Sequence, residues 1–143
     1  MARSQKAEEA ADKIHSAAIR LLRFVRKEDA AAGVPPAQLS ALSVLVFAGP
    51  QSLTALAAAE QVKPPTMSQL VAAMERKGLV ARAPVDRRSI RISATEKGRS
   101  LLEAGRRRRL ARLAGALSRL PANKLSLLQQ AASIVMAVTE RPS

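Results

Sequence analysis

Cysteine, tryptophan and tyrosine are absent from this 143-residue chain, and histidine occurs once, as His15. Without cysteine there are no disulfides, no thiolate metal sites and no cysteine-based oxidant sensing. One histidine and carboxylates at no motif spacing assemble neither a catalytic constellation nor a metal-ligand cluster, so no catalytic residue, metal or cofactor is expected. His15 itself is read as a surface or interface residue of a helix. Phe24 and Phe47 are the two aromatic residues. Proteins that read single-stranded RNA stack bases on aromatics, and this chain has little to offer them. The interior falls to Leu, Val, Ile, Met and Ala, which suits closely packed helices. No apolar run approaches the roughly 20 residues of a spanning helix, so no membrane partner is expected. The opening MARSQKAEEAADK has neither the apolar stretch nor the cleavage site of a secretory signal, and a cytoplasmic protein is the expectation.

Acidic residues are scarce as well: 11 stand against 24 Lys and Arg, for a net charge of +13. That imbalance points to a polyanionic partner, with nucleic acid foremost. The excess grows toward the C-terminus, where residues 99–143 carry 9 basic and 2 acidic groups. Part of it is the run of four arginines at 106–109, which a helix would point in different directions around its axis. A solvated helix face and a phosphate-contacting flank both remain open for this run. Apolar residues make up 48% of the chain, enough to bury a core, and the length fits one domain.

Helical spacing runs through Ile14, Ala18, Leu21, Leu22 and Val25 until Gly33, Pro35 and Pro36 interrupt it. It resumes at Leu39, Leu42, Leu45 and Val46 and stops at Gly49-Pro50. A short third helix is expected over residues 54–60, and a tight turn leads through Lys63 to Pro64 and Pro65. In the fourth helix Met67, Leu70, Val71 and Met74 make one apolar stripe, leaving Thr66, Ser68, Gln69, Ala72, Ala73 and Arg76 to look outward. A helix that enters a major groove needs such a face, because short side chains permit close approach and Ser, Thr and Gln can bond base edges. After Gly78, residues 79–82 and 89–93 read as short strands around a basic connection that carries Arg87 and Arg88. Two helices with a tight turn followed by a basic hairpin is the order of a winged helix-turn-helix. The expected class is therefore mainly α, an α+β winged helix with about six helices and a two- or three-stranded wing.

Beyond the wing, Ser93-x-x-Glu96 has the form of a capping box and opens a long helix. Leu110, Leu113, Leu117 and Leu120 continue it until Pro121. The sixth helix has two stripes, one of Leu125, Leu128, Ala132 and Val135 and one of Leu127, Ala131, Ile134 and Val138. Two stripes need two partners, and a second copy of the chain can supply one of them.

The segment from Leu56-Ala57 through Val62, Thr66, Met74-Glu75, Lys77-Gly78-Leu79-Val80, Asp86-Arg87-Arg88 and Thr95-Glu96-Lys97-Gly98 resembles the MarR (multiple antibiotic resistance regulator) family, a match covering roughly residues 37–102. The resemblance implies a bacterial transcriptional regulator, expected to repress, that binds a pseudo-palindromic site on double-stranded DNA as a homodimer and is nucleoid-associated when bound. It divides one compact chain into an N-terminal dimerisation helix and linker (1–36), a winged helix-turn-helix region (37–98) and C-terminal dimerisation helices (99–143). Lys63, Pro65, Thr66, Ser68, Gln69, Ala72 and Arg76 are the expected recognition-helix contacts, and Arg82, Asp86, Arg87 and Arg88 those of the wing. Within the wing Arg88 matches the family's arginine and Asp86 the carboxylate that orients it. Ile14, Leu21, Leu117, Leu128, Ile134 and Val135 are expected in the dimer interface. Family members often bind small anionic or aromatic compounds, so a small-molecule effector is admitted as a partner, although no residue names one. A sequence-blind architectural DNA binder is the alternative function.

Overall fold

The computed structural model describes residues 4–140. Six α-helices and one hairpin follow in the order α1 (Gln5–Arg26), α2 (Pro36–Ala48), α3 (Leu53–Ala59), α4 (Pro64–Arg76), β1 (Val80–Pro84), β2 (Ile90–Ala94), α5 (Glu96–Leu117) and α6 (Ala122–Thr139). A 3-10 turn, Asp29–Ala32, lies between α1 and α2 and ends at Gly33, whose φ of 67° is left-handed. The chain forms two compact units, Met1–Arg109 and Leu110–Ser143.

Local chemistry sets most of the boundaries in the first unit. Pro36 opens α2 at the position where a missing N–H costs nothing, and Pro64 and Pro65 open α4 in the same way. Ser52 caps α3 by accepting the Ala55 N–H at 3.1 Å. The helices α3 and α4 end alike. Val62 N–H donates to Ala57 O and Gln61 N–H to Ala58 O; Leu79 N–H donates to Met74 O and Gly78 N–H to Glu75 O. Both are Schellman closures, which need a left-handed residue just past the helix. Gly78 meets that need freely at φ 74°, whereas Gln61 is held there at φ 55° against an intrinsic cost of about 1–2 kcal/mol. The tight turn between α3 and α4 is thus a strained cap, held by two backbone bonds and by the half-buried Val62 packed on the core.

The core of this unit is aliphatic. Ala41, Leu42 and Leu45 of α2, Leu56 and Ala57 of α3, and Met67, Val71 and Met74 of α4 close around Leu79, Val80, Ile92 and Ala94. Neither phenylalanine takes part: Phe24 is half-buried and Phe47 is 81% exposed. The hairpin is antiparallel, with register from Val80↔Ala94 to Pro84↔Ile90. Its third strand shrinks to one residue, Gln51, which exchanges both backbone bonds with Ile92.

Three expectations are corrected. The strands lie slightly later than the sequence pattern places them, so Ala83 and Pro84 belong to β1 and Ser89 to the tip. The cap of α5 is Thr95 instead of Ser93: its Oγ1 accepts the Gly98 N–H at 3.1 Å, while Ser93 pairs with Ala81 in the hairpin. Helix α5 ends at Leu117, short of Leu120, because a residue preceding proline is driven out of the helical region.

In the second unit Leu113, Leu117, Leu120, Leu125 and Val135 are half-buried, while Leu127, Leu128, Ile134, Met136 and Val138 are exposed. On α1 no residue is buried, and Ile14, Ile19, Leu21 and Leu22 are all exposed. Among the described residues no single helix is long and apolar enough to cross a membrane.

Candidate nucleic-acid interface

Met67, Val71 and Met74 fix the rotation of α4, because all three are fully buried. The opposite face carries Pro65, Thr66, Gln69, Ala72, Ala73 and Arg76. Of these, Pro65, Thr66, Gln69 and Arg76 are exposed and the two alanines half-buried; Ser68, on the flank, is half-buried too. Lys63 is exposed at the N-cap and makes no side-chain capping bond. The expected face of α4 therefore has Gln69 exposed at its middle, with the half-buried Ala72 and Ala73 low on either side of it.

The wing rises beside this helix. Val85 N–H donates to Ser89 O at 3.0 Å and closes the tip into a short loop. Inside it, the Asp86 carboxylate accepts the backbone N–H groups of Arg88 at 2.7 Å and Ser89 at 2.9 Å. The Arg88 amide, followed by the hydroxyl and amide of Ser89, holds the Asp86 carboxyl below its ordinary pKa of 3.8. Asp86 thus stays charged and shapes the tip, leaving the exposed side chains of Arg87 and Arg88 to face solvent. Arg82 stands lower on β1, with its Nε 3.4 Å from the Glu75 carboxylate of α4. This ion pair ties the base of the wing to the reading helix.

A polar cluster that sequence reasoning missed holds the back end of α4. Gln38 is the buried polar residue of the described chain, 7% exposed, and its Oε1 accepts from Lys77 Nζ at 2.8 Å. The Lys77 carbonyl accepts from Lys97 Nζ at 2.8 Å, and the Gly78 carbonyl from Thr95 Oγ1 at 2.6 Å. One local signal existed: Gln38 occupies the inward stripe with Ala41, Leu42 and Leu45. A second missed link joins Arg109 to Asp29 at 2.8 Å, where Gly105 leaves room for the guanidinium.

The residues expected in a dimer interface lie on other elements, α1, α5 and α6. Ile14 and Leu21 are exposed on α1. Leu128 and Ile134 are exposed on α6, and Leu117 and Val135 are half-buried.

Comparison with known proteins agrees with this architecture. The model of the MarR family matches residues 32–89. An HTH-type transcriptional regulator of Mycobacterium bovis is 36% identical over 126 residues, covering 87% of this chain and 88% of the relative. A similar regulator of Mycobacterium leprae is 34% identical over 126 residues, with the same shares covered. Among solved structures, a transcriptional regulator from Thermotoga maritima superimposes with a TM-score of 0.79 at 27% identity over 96% of both chains. A MarR family protein from Bacillus stearothermophilus gives 0.79 at 23% identity over 99% of this chain and 100% of that one, a likeness of fold. With the winged helix-turn-helix described and close relatives along most of its length, the chain belongs to the MarR family and is an HTH-type, DNA-binding transcriptional regulator.

Proposed function

We propose that the chain represses transcription as a homodimer on a pseudo-palindromic operator in the bacterial nucleoid. The observation that carries this reading is the face of α4 with Gln69 exposed at its middle, beside an arginine-tipped wing. Two copies related by a two-fold axis would set their α4 helices in successive major grooves about 10 bp apart. Arg87 and Arg88 would enter the flanking minor groove, where the potential is most negative. Lys63 and Arg82 suit phosphate contacts, and the net charge of +13 supplies the attraction.

A second copy is supported by the apolar side chains left in solvent. Leu127 and Ile134 are each 64% exposed, and Ile14, Leu21 and Leu22 stand in water on α1. Large exposed apolar side chains repeated along α1, and separately along α6, each suit burial against another chain. For a small-molecule effector, the support is an open cleft of about 370 Å³ bounded by Val46, Arg99, Ser100 and Arg107, with Glu96 and Glu103 at its edge.

The test begins with mass measurement in solution and selection of bound duplexes from a random pool. A dimer with at least about a thousandfold preference for the selected site over random duplex is expected. A monomer, or a preference near one, overturns the reading; the latter favours the sequence-blind architectural binder.

A further inference from the structure

We infer that Gln69 reads adenine, and that the operator half-site is centred on A·T pairs whose thymine methyl groups lie against Pro65, Ala72 and the methyl of Thr66. The inference rests on the operator reading above and adds the base composition of its core. Opposite the buried Met67, Val71 and Met74, Gln69 sits at the middle of the reading face. It is exposed, and no hydrogen bond is recorded for its side-chain amide among the described residues.

The argument turns on which reading chemistry the face contains. Guanine is read best by Arg or Lys at O6 and N7, cytosine by a carboxylate at N4, and adenine by Asn or Gln spanning N6 and N7. Between Pro65 and Ala73 there is no Lys, Arg, Asp or Glu. The nearest carboxylate on the helix, Glu75, is turned to Arg82 at 3.4 Å. Arg76 lies on the same face, but seven residues beyond Gln69 it is displaced by about 10 Å along the axis. Recognition helices present their N-terminal residues to base edges, so at that distance Arg76 meets the sugar-phosphate wall. Within Pro65–Ala73, Gln69 is then the one long polar side chain placed to read a base, donating from its amide nitrogen to N7 and accepting from the N6 amino group, with Lys63 assigned to phosphate as above. Around it Pro65, Ala72, Ala73 and the Thr66 methyl offer small apolar surface, which matches the thymine C5-methyl and nothing else on a major-groove edge.

The test uses the full chain and the duplexes it selects from a random pool, followed by single-atom changes in the selected half-site. Replacing the central adenine by 7-deazaadenine removes the N7 acceptor, and replacing thymine by deoxyuridine removes the methyl. The expected result is an A·T core, a loss of about 5- to 150-fold on 7-deazaadenine, and disappearance of that loss in Gln69→Ala. Arg76→Ala should weaken binding to all duplexes alike. A G·C core, or an equal 7-deazaadenine loss in wild type and Gln69→Ala, overturns the assignment while leaving site-specific operator binding intact. Absence of any preferred duplex overturns the operator reading itself.

Discussion

Replacing Gly98 with alanine adds one methyl group where the first turn of α5 lies against the entry to β1. A Cβ at this position would collide with the backbone carbonyl oxygen of Leu79 and come within 3.0 Å of Leu42 Cδ1. Neither neighbour can step aside cheaply. Leu79 is 1% exposed and its carbonyl accepts the Thr95 N–H at 3.0 Å, while Leu42 is fully buried. Two effects oppose each other. Alanine favours the helix by about 1 kcal/mol relative to glycine. Overpacking a tight interior costs about 1–3 kcal/mol, and stretching the Thr95–Leu79 bond adds about 1 kcal/mol. The net expectation is a destabilisation of about 1–3 kcal/mol, a fall in Tm of roughly 3–10 °C for a chain of this size. Gly115→Ala, later in the same helix, provides the contrast, since a Cβ there meets nothing within 4 Å. It should gain about 0.5–1 kcal/mol from helix propensity alone. Thermal unfolding followed by circular dichroism measures both. If Gly98→Ala melts at or above the wild type, close packing of α5 on Leu79 is not what requires glycine.

Arg88→Ala should weaken binding to duplexes of every sequence and reduce the slope of log K against log salt by about 1, measured by fluorescence anisotropy; unchanged affinity at all salt concentrations removes the wing from the interface. Because the folded-state pKa of Asp86 is lowered, its contribution to wing order is complete above its ordinary value of 3.8 and is lost as pH falls through the lower folded value. The Arg88 and Ser89 amide resonances should therefore be pH-independent near neutrality and shift only below that value, whereas Asp86→Asn should remove the shift. Lys77→Met leaves the buried Gln38 oxygen without its donor and should cost about 1–3 kcal/mol in urea unfolding, while adding Gln38→Leu should recover part of the loss. An equal or larger cost in the double variant would show that the Gln38–Lys77 bond is not what stabilises this end of α4.

Much of this architecture is legible from short-range pattern. The stripe of Met67, Val71 and Met74 fixes which side of α4 faces the core, and Pro36, Pro64 and Gly78 mark helix ends because each residue type suits one backbone conformation. The errors arise where a long-range partner decides between local options. Ser93 and Thr95 are both able to cap α5, and the choice goes to Thr95 because the hairpin ladder claims Ser93 opposite Ala81. Gln51 has no local strand signal, since its role as a third strand depends on Ile92 forty-one residues away. Leu120 keeps the helical spacing of Leu113 and Leu117, but the proline after it excludes the helical backbone. Which side of α4 stays outside the core could be read from the sequence, with Ser68 displaced to the half-buried flank, whereas the bonds that hold the helix end, Lys77 to Gln38 and Lys97 to Lys77, span 39 and 20 positions. Nothing in hydrophobic periodicity encodes them.

Those bonds decide how α4 can move. At its start, two consecutive prolines restrict the backbone, and the strained cap at Gln61 fixes the angle of entry from α3. At its end, Lys77 is held by Gln38 of α2, its carbonyl by Lys97 of α5, and the following carbonyl, Gly78, by Thr95 at the α5 cap. Bending or rotating α4 alone would break charge-assisted bonds and expose an unsatisfied buried amide, a cost of several kcal/mol. Moving α2, α3, α4, the hairpin and the first turn of α5 together breaks none of them. Helix α4 is thus fixed within a packed frame and is expected to move with α2, α3, the hairpin and the first turn of α5 as one body. The first turn of α5 belongs to that frame, because Thr95 and Lys97 bond the carbonyls of Gly78 and Lys77 just past α4, while Gly98 packs on Leu79 and Leu42.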